Sequence, residues 1–158
     1  ARIGCIVSKN KDLLNTIMKM AQSRLSPPTY AQIAAEAALE TPQSYFTEVV
    51  EEYTSRRNIL VEELQKIDGV KVFTPQGAFY CIVQLPVKDT DIFAQWMLES
   101  YSDQNETLMV APASGFYTTK DIGKSQIRIA YVLNKKDLVR SVEILKLALA
   151  KYQQEFSN

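Results

Sequence analysis

The chain begins with an apolar run, Ile3 to Val7, patterned as a strand. From Lys11 to about Arg24 the period changes. Leu13, Leu14, Ile17 and Ala21 recur at three and four, the stripe of an amphipathic helix, with Ser8 or Asn10 available as its N-cap. The segment LSPPTY ends that helix, because Pro27 and Pro28 remove two donors and push the residues before them toward extended backbone. A second helix follows in AQIAAEAALE, whose alanines bury little area and suit close packing against a neighbour. Thr41 and Pro42 then make an N-cap and first-turn pair. Phe46, Val49, Val50, Tyr53, Leu60, Leu64 and Ile67 repeat at helical spacing until Gly69 stops the run. That predicts a helix of about 26 residues and about 39 Å, a length that usually bridges two bodies.

Beyond Gly69 the periods of two and 3.6 alternate. VKVFT and AFYCIVQL read as strands joined through Pro75, Gln76 and Gly77, where Gly77 would supply a positive φ. DIFAQWMLESY is a short helix with Ile92, Phe93, Trp96 and Met97 as its apolar face. TLMVA and QIRIAYV are strands separated by a Pro/Gly loop. Asn134 caps the last helix with Asp137 three residues on, and Leu138, Val142, Leu145, Leu149 and Tyr152 form its stripe. The order strand, strand, helix, strand, strand, helix over about 69–158 predicts a compact α/β sandwich.

Composition narrows the chemistry. The 158 residues carry eighteen basic and eighteen acidic side chains, so no net charge draws the chain to nucleic acid or an anionic membrane. The sequence contains no histidine, which removes the commonest general base and metal ligand. Cys5 and Cys81 have no paired spacing, so neither a disulfide framework nor a zinc site is indicated, and a reducing, cytoplasmic setting is expected. No apolar run approaches the ~18 residues of a membrane-spanning helix. The first residue is not methionine and the chain drops directly into a strand, so we expect a segment of something longer.

One charge breaks the pattern. In QIRIAYV, Ile127, Ile129 and Tyr131 point to one face and Gln126, Arg128 and Ala130 to the other. On pattern alone Arg128 faces water, as most arginines do. The sharper reading is an anion-binding arginine held on a rigid strand.

Taken in order, five stretches resemble the C-terminal part of a class I/II aminotransferase of the pyridoxal-phosphate fold type I group. ARIG is similar to the Arg-x-Gly strand that follows that family's Schiff-base lysine, and PPTYAQIAAEAAL to the segment before its interdomain helix. TPQGAFY resembles its Pro-x-Gly-Ala-Phe-Tyr turn, VAPASGFY its Val-x-Pro-Gly loop, and IRIAY the strand with the substrate arginine. The resemblance implies the small domain of that fold, a mixed sheet with helices and a long interdomain helix, plus a remnant of the large domain. Residues 1–43 would be the edge of the large cofactor domain and 44–158 the small domain.

The same resemblance assigns roles. Arg128 would fork onto the α-carboxylate of the substrate, Phe79 would stand beside it, and Arg2 would contact the phosphate of pyridoxal 5'-phosphate. The Schiff-base lysine would fall before Ala1, so no catalytic residue and no metal ligand is expected here, and the chain alone is expected to be inactive and not to hold the cofactor. Lys9, Lys11 and Lys19 read as solvated helix residues. In VAPASGFY, Ala113 stands where the family usually has glycine. The parent would be a homodimeric transaminase taking an amino acid, aspartate being one candidate, and a 2-oxo acid, without nucleic-acid or membrane partners. Two alternatives stand beside it. One is another fold type I enzyme, a carbon-sulfur lyase or a cyclopropane-forming synthase; the other is a stand-alone module sensing a small carboxylate through Arg128.

Overall fold

The structure is a computed structural model and describes residues 2–156. Two compact units divide between Thr47 and Glu48.

The first unit is two helices and their flanks. Helix α1 spans Lys11–Gln22 and starts where Asn10 Oδ1 accepts from the Leu13 N–H at 3.0 Å. Helix α2 spans Thr29–Ala38, directly after the two prolines. No residue from Arg2 to Thr47 is buried. The expected strand at Ile3–Val7 does not form. A strand is stable only when a neighbour takes its backbone donors and acceptors, and no described residue pairs with this stretch.

Helix α3, Gln43–Gln65, begins before the division and carries Leu60, Val61 and Leu64 as its buried residues. It is shorter than expected, since the chain turns between Lys66 and Gly69. Gly69 has φ +78°, and a Cβ there would stand 2.9 Å from Pro86 Cβ, so both backbone and space require glycine.

The second unit is a four-stranded sheet in the order β1-β2-β4-β3, with β1 Lys71–Val72, β2 Tyr80–Gln84, β3 Ala111–Pro112 and β4 Gln126–Ala130. All three pairings are antiparallel, which corrects the mixed sheet expected from the resemblance. The two edge strands are two residues long where five were expected, because an edge strand gains ladder bonds on one side only and Pro112 donates none.

Helix α4, Thr90–Ser100, and helix α5, Lys135–Phe156, complete the layer. Asp89 caps α4, and, as the sequence predicts, Asn134 Oδ1 accepts from the Asp137 N–H at 3.0 Å at the start of α5. The core lies between one sheet face, Cys81, Val83 and Ile127, and the buried stripes of α3, α4 and α5, where Leu60, Leu64, Phe93, Met97, Leu138 and Leu145 sit. Each such side chain contributes about 1.5–3 kcal/mol by leaving water. Trp96 closes one end, stacked near Phe93 and donating its indole N–H to Glu155 Oε2 at 3.0 Å. No helix among the described residues of this unit packs on the opposite sheet face, and Tyr80, Ile82, Arg128 and Ala130 on it are exposed.

Candidate functional site

Register decides what shares that open face. Ile82 lies opposite Arg128, Tyr80 opposite Ala130, and Ala111 opposite Arg128 on its other side. Paired residues project to the same side, so Arg128 stands in the middle of the face, with Tyr80 one diagonal step away. Its guanidinium carbon lies 5.2 Å from the centre of the Tyr80 ring and 4.8 Å from that of Phe116. Both distances are within the range of a cation–π attraction.

Arg128 has no acidic partner among the described residues. The other three arginines of this unit are engaged by oxygen. Arg56 bonds Glu52 Oε1 and the Val132 carbonyl, Arg57 the Pro75 carbonyl, and Arg140 three carboxylates. Arg128 keeps its charge and its fork of donors on a strand whose backbone is bonded on both sides.

Phe116 reaches the guanidinium from a loop with its own fastenings. A short 3₁₀ turn, Ser114–Phe116, follows Ala113, whose N–H bonds the Gln126 carbonyl at 2.9 Å. Ser114 donates to Asp91 Oδ2 at 2.8 Å, and the Tyr117 hydroxyl donates to Gln126 Oε1 at 2.7 Å. Gly123, at φ +80°, lies under the Tyr117 ring, where a Cβ would come within 2.6 Å. Ala113 is fully buried at φ −97°, outside the left-handed region that favours glycine, so its backbone does not require the glycine the family usually has there.

Phe79 precedes β2 and is half-exposed at 51%. Its carbonyl accepts the Tyr131 N–H at 2.9 Å. Strand alternation turns its side chain to the face opposite Arg128, beside Tyr53 at 6.3 Å. Its ring is 5.7 Å from Tyr80, so Tyr80 is the element common to both predicted residues. The turn before it is fixed by Tyr131, whose buried hydroxyl donates to the Ala78 carbonyl at 2.9 Å. The residue with positive φ in that turn is Ala78, at +62°, and not Gly77.

Arg2 belongs to the first unit, exposed, with φ +55°. Gln32 donates to the Pro27 carbonyl at 2.9 Å and so braces the proline segment. Every lysine among the described residues is exposed. No group of three or more potential metal ligands forms among them, and no helix is long and apolar enough to cross a membrane. Burial pushes the Cys81 thiol up to about 11, which leaves it a neutral core residue.

Sequence reasoning found Arg128 by its period of two. It missed Tyr80 and Phe116, since neither a cross-strand diagonal nor the path of a loop can be read before the strands are paired.

The aminotransferase class I and II family model matches residues 1–145. The chain belongs to that family. It is 27% identical over 152 residues to an aspartate aminotransferase of Pyrococcus horikoshii, covering 94% of this chain and 37% of that relative. A probable aspartate/prephenate aminotransferase of Aquifex aeolicus is 30% identical over 131 residues, 82% of this chain and 32% of the relative. The chain therefore spans about a third of the length of these relatives. Among solved structures, an alanine aminotransferase from Pyrococcus furiosus superposes with a TM-score of 0.71 at 26% identity, over 90% of this chain and 36% of the other. An α-aminoadipate aminotransferase from Thermus thermophilus, whose crystal holds N-(5'-phosphopyridoxyl)-L-leucine, gives 0.75 at 18% identity, over 94% and 38%. The fold is thus the expected fold type I one, here an antiparallel sheet with helices on one face.

Proposed function

We propose that this chain supplies the substrate-carboxylate arginine of an amino acid to 2-oxo acid aminotransferase, with Arg128 as that residue. The observation that carries the reading is a guanidinium on a two-sided strand, against two aromatic rings, with no acidic partner among the described residues. A permanently charged planar fork suits a carboxylate, and charge-assisted hydrogen bonds to it contribute about 1.5–3 kcal/mol. Family membership and the names of the relatives support transamination, with aspartate as the first amino donor to try.

Residues 44–158 would form the small domain and 1–43 the edge of the large one. The absence of any buried residue from Arg2 to Thr47 supports this, since such a unit needs further surface to pack against. The whole protein would be cytoplasmic and dimeric. Pyridoxal 5'-phosphate, when bound, supplies the electron sink of the reaction. This chain's own contribution to holding it would be Arg2, whose exposed cation suits a phosphate. A lysine acting as nucleophile and proton carrier needs burial or a cationic neighbour to lower its pKa. The described lysines are all exposed, so these residues alone are not expected to turn over substrate. Phe79, on the face opposite Arg128 and touching Tyr80, would act on the substrate only through Tyr80.

The test uses the full-length protein that carries this stretch, with pyridoxal 5'-phosphate and L-aspartate. Turnover should require 2-oxoglutarate, and Arg128→Ala should raise KM by roughly ten- to a hundredfold. Turnover without any 2-oxo acid would move the assignment to a lyase or synthase. Micromolar binding of an amino acid by this chain alone would favour a carboxylate-sensing module.

A further inference from the structure

Two rings touch the Arg128 guanidinium, and they are held in different ways. Tyr80 is built into β2 and paired opposite Ala130, so its place follows from the sheet register. Phe116 belongs to the loop between β3 and β4, which no ladder bond orders. Its ring nevertheless lies closer to the cation, at 4.8 Å against 5.2 Å.

The loop is anchored at three points around Phe116. Behind it, Ala113 N–H is bonded to Gln126, and the Phe116 N–H returns to the Ala113 carbonyl at 3.0 Å. Beside it, Ser114 is tied to Asp91 on α4. Ahead of it, Tyr117 lies on Gly123 and reaches Gln126, two residues before Arg128 on the same sheet face. Gln126 thus receives the loop twice, through its carbonyl and its side chain. This costs ordering entropy, and it aims a half-exposed Phe116, 54% accessible, at a charge rather than into the core. A hydrophobic ring placed that way adds little burial. What it does add is orientation, because a guanidinium resting on a ring loses the freedom to swing its fork.

We propose, resting on the carboxylate reading above, that Phe116 is a positioning residue: with Tyr80 it fixes the plane in which Arg128 meets a flat carboxylate, and the Tyr117–Gly123 contact holds Phe116 in place. A carboxylate accepts two parallel N–H bonds only when it lies in the plane of the fork. A tetrahedral anion such as phosphate has oxygens in several directions and is less sensitive to that plane. The arrangement therefore selects carboxylate over phosphate, beyond the attraction that any cation would supply.

The experiment is a titration of the ¹⁵N-labelled full-length protein that carries this stretch, read at the Arg128 side-chain Nε–H signal, with 2-oxoglutarate and with inorganic phosphate as probes. The signal is assigned from its loss in Arg128→Lys. In the unsubstituted chain the two rings should shift this proton upfield, and 2-oxoglutarate should move it. Phe116→Leu should remove most of the ring shift and weaken 2-oxoglutarate binding roughly five- to tenfold, with phosphate binding changed less than twofold. Phe116→Tyr should restore both ring shift and affinity. Tyr117→Leu, which leaves Phe116 itself intact, should reproduce the Phe116→Leu result in part. Equal affinity for 2-oxoglutarate in the unsubstituted chain and Phe116→Leu overturns the proposal, as does an equal loss for carboxylate and phosphate. If the ring shift is present but no concentration of 2-oxoglutarate moves the signal in any variant, the carboxylate reading of Arg128 itself falls, and this proposal falls with it.

Discussion

The hydroxyl of Tyr131 donates a 2.9 Å hydrogen bond to the carbonyl of Ala78, the one residue of the 75–79 turn in the left-handed region. Tyr131 also gives its backbone N–H to Phe79, so one residue three places after Arg128 holds the turn that carries Phe79. The strand that presents the cation and the turn that presents the aromatic are fastened at a single residue.

Two substitutions separate the parts of that fastening. Tyr131→Phe keeps the buried ring and removes only the hydroxyl, and the exposed Ala78 carbonyl can then turn to water, so the loss should be about 0.5–1.5 kcal/mol in denaturant unfolding. Ala78→Gly should go the other way. Left-handed backbone costs a non-glycine residue about 1–2 kcal/mol, partly offset by about 0.5–1 kcal/mol of extra chain entropy in glycine. A net gain of a few tenths to 1 kcal/mol is expected. If Ala78→Gly is as destabilising as Tyr131→Phe, the turn does not hold the strain assigned to it.

The two cysteines should behave oppositely. Cys5 is exposed and Cys81 is 3% accessible, with its thiol pushed up to about 11 by burial. A thiol reagent at neutral pH should label one site at once and the second only in denaturant. The raised value also sets a sign. Above the ordinary thiol value of 9.0 the unfolded chain loses this proton before the folded one does, so stability is full below pH 9 and declines as pH rises toward about 11. Tyr131 and Tyr152, also raised by burial, act in the same direction. The difference between the parent and Cys81→Ala across that window isolates the thiol, and a flat difference would contradict the assignment.

The sequence was legible where one element carries its own signal. The stripe of α5 and the cap at Asn134 name a helix with no help from the rest of the chain, and Arg128 is found by counting twos along β4. It was less legible wherever an outcome depends on a partner. Ile3–Val7 has the composition of a strand and nothing among the described residues to pair with. VKVFT and TLMVA shrink to two residues each because they are edges. Gly77 looked like the residue with positive φ, yet the bonds from Tyr131 and to Phe79 select Ala78. Phe116 is the extreme case: its meeting with Arg128 is set by Ser114, Tyr117 and Gly123, none of which is periodic with anything.

Arg140 gives the last test. From α5 it bonds Asp103 Oδ2 at 2.6 Å, Glu106 Oε2 at 2.8 Å and Glu143 Oε2 at 3.0 Å, and Asp103 and Glu106 close the turn after α4 on each other with two 2.9 Å backbone bonds. These acids hold the guanidinium firmly protonated. That turn leads directly into the segment that becomes β3, whose Ala111 pairs with Arg128. Arg140→Gln removes the cation and leaves three carboxylates facing one another, while Arg140→Lys restores the charge but not the planar fork that reaches all three. Thermal midpoints should therefore fall in the order parent, Lys variant, Gln variant. Added salt should narrow the gaps, since exposed charges are screened within about 10 Å at 0.1 M. Identical midpoints at low salt would mean that this cluster, like many ion pairs at a surface, contributes nothing to holding the turn.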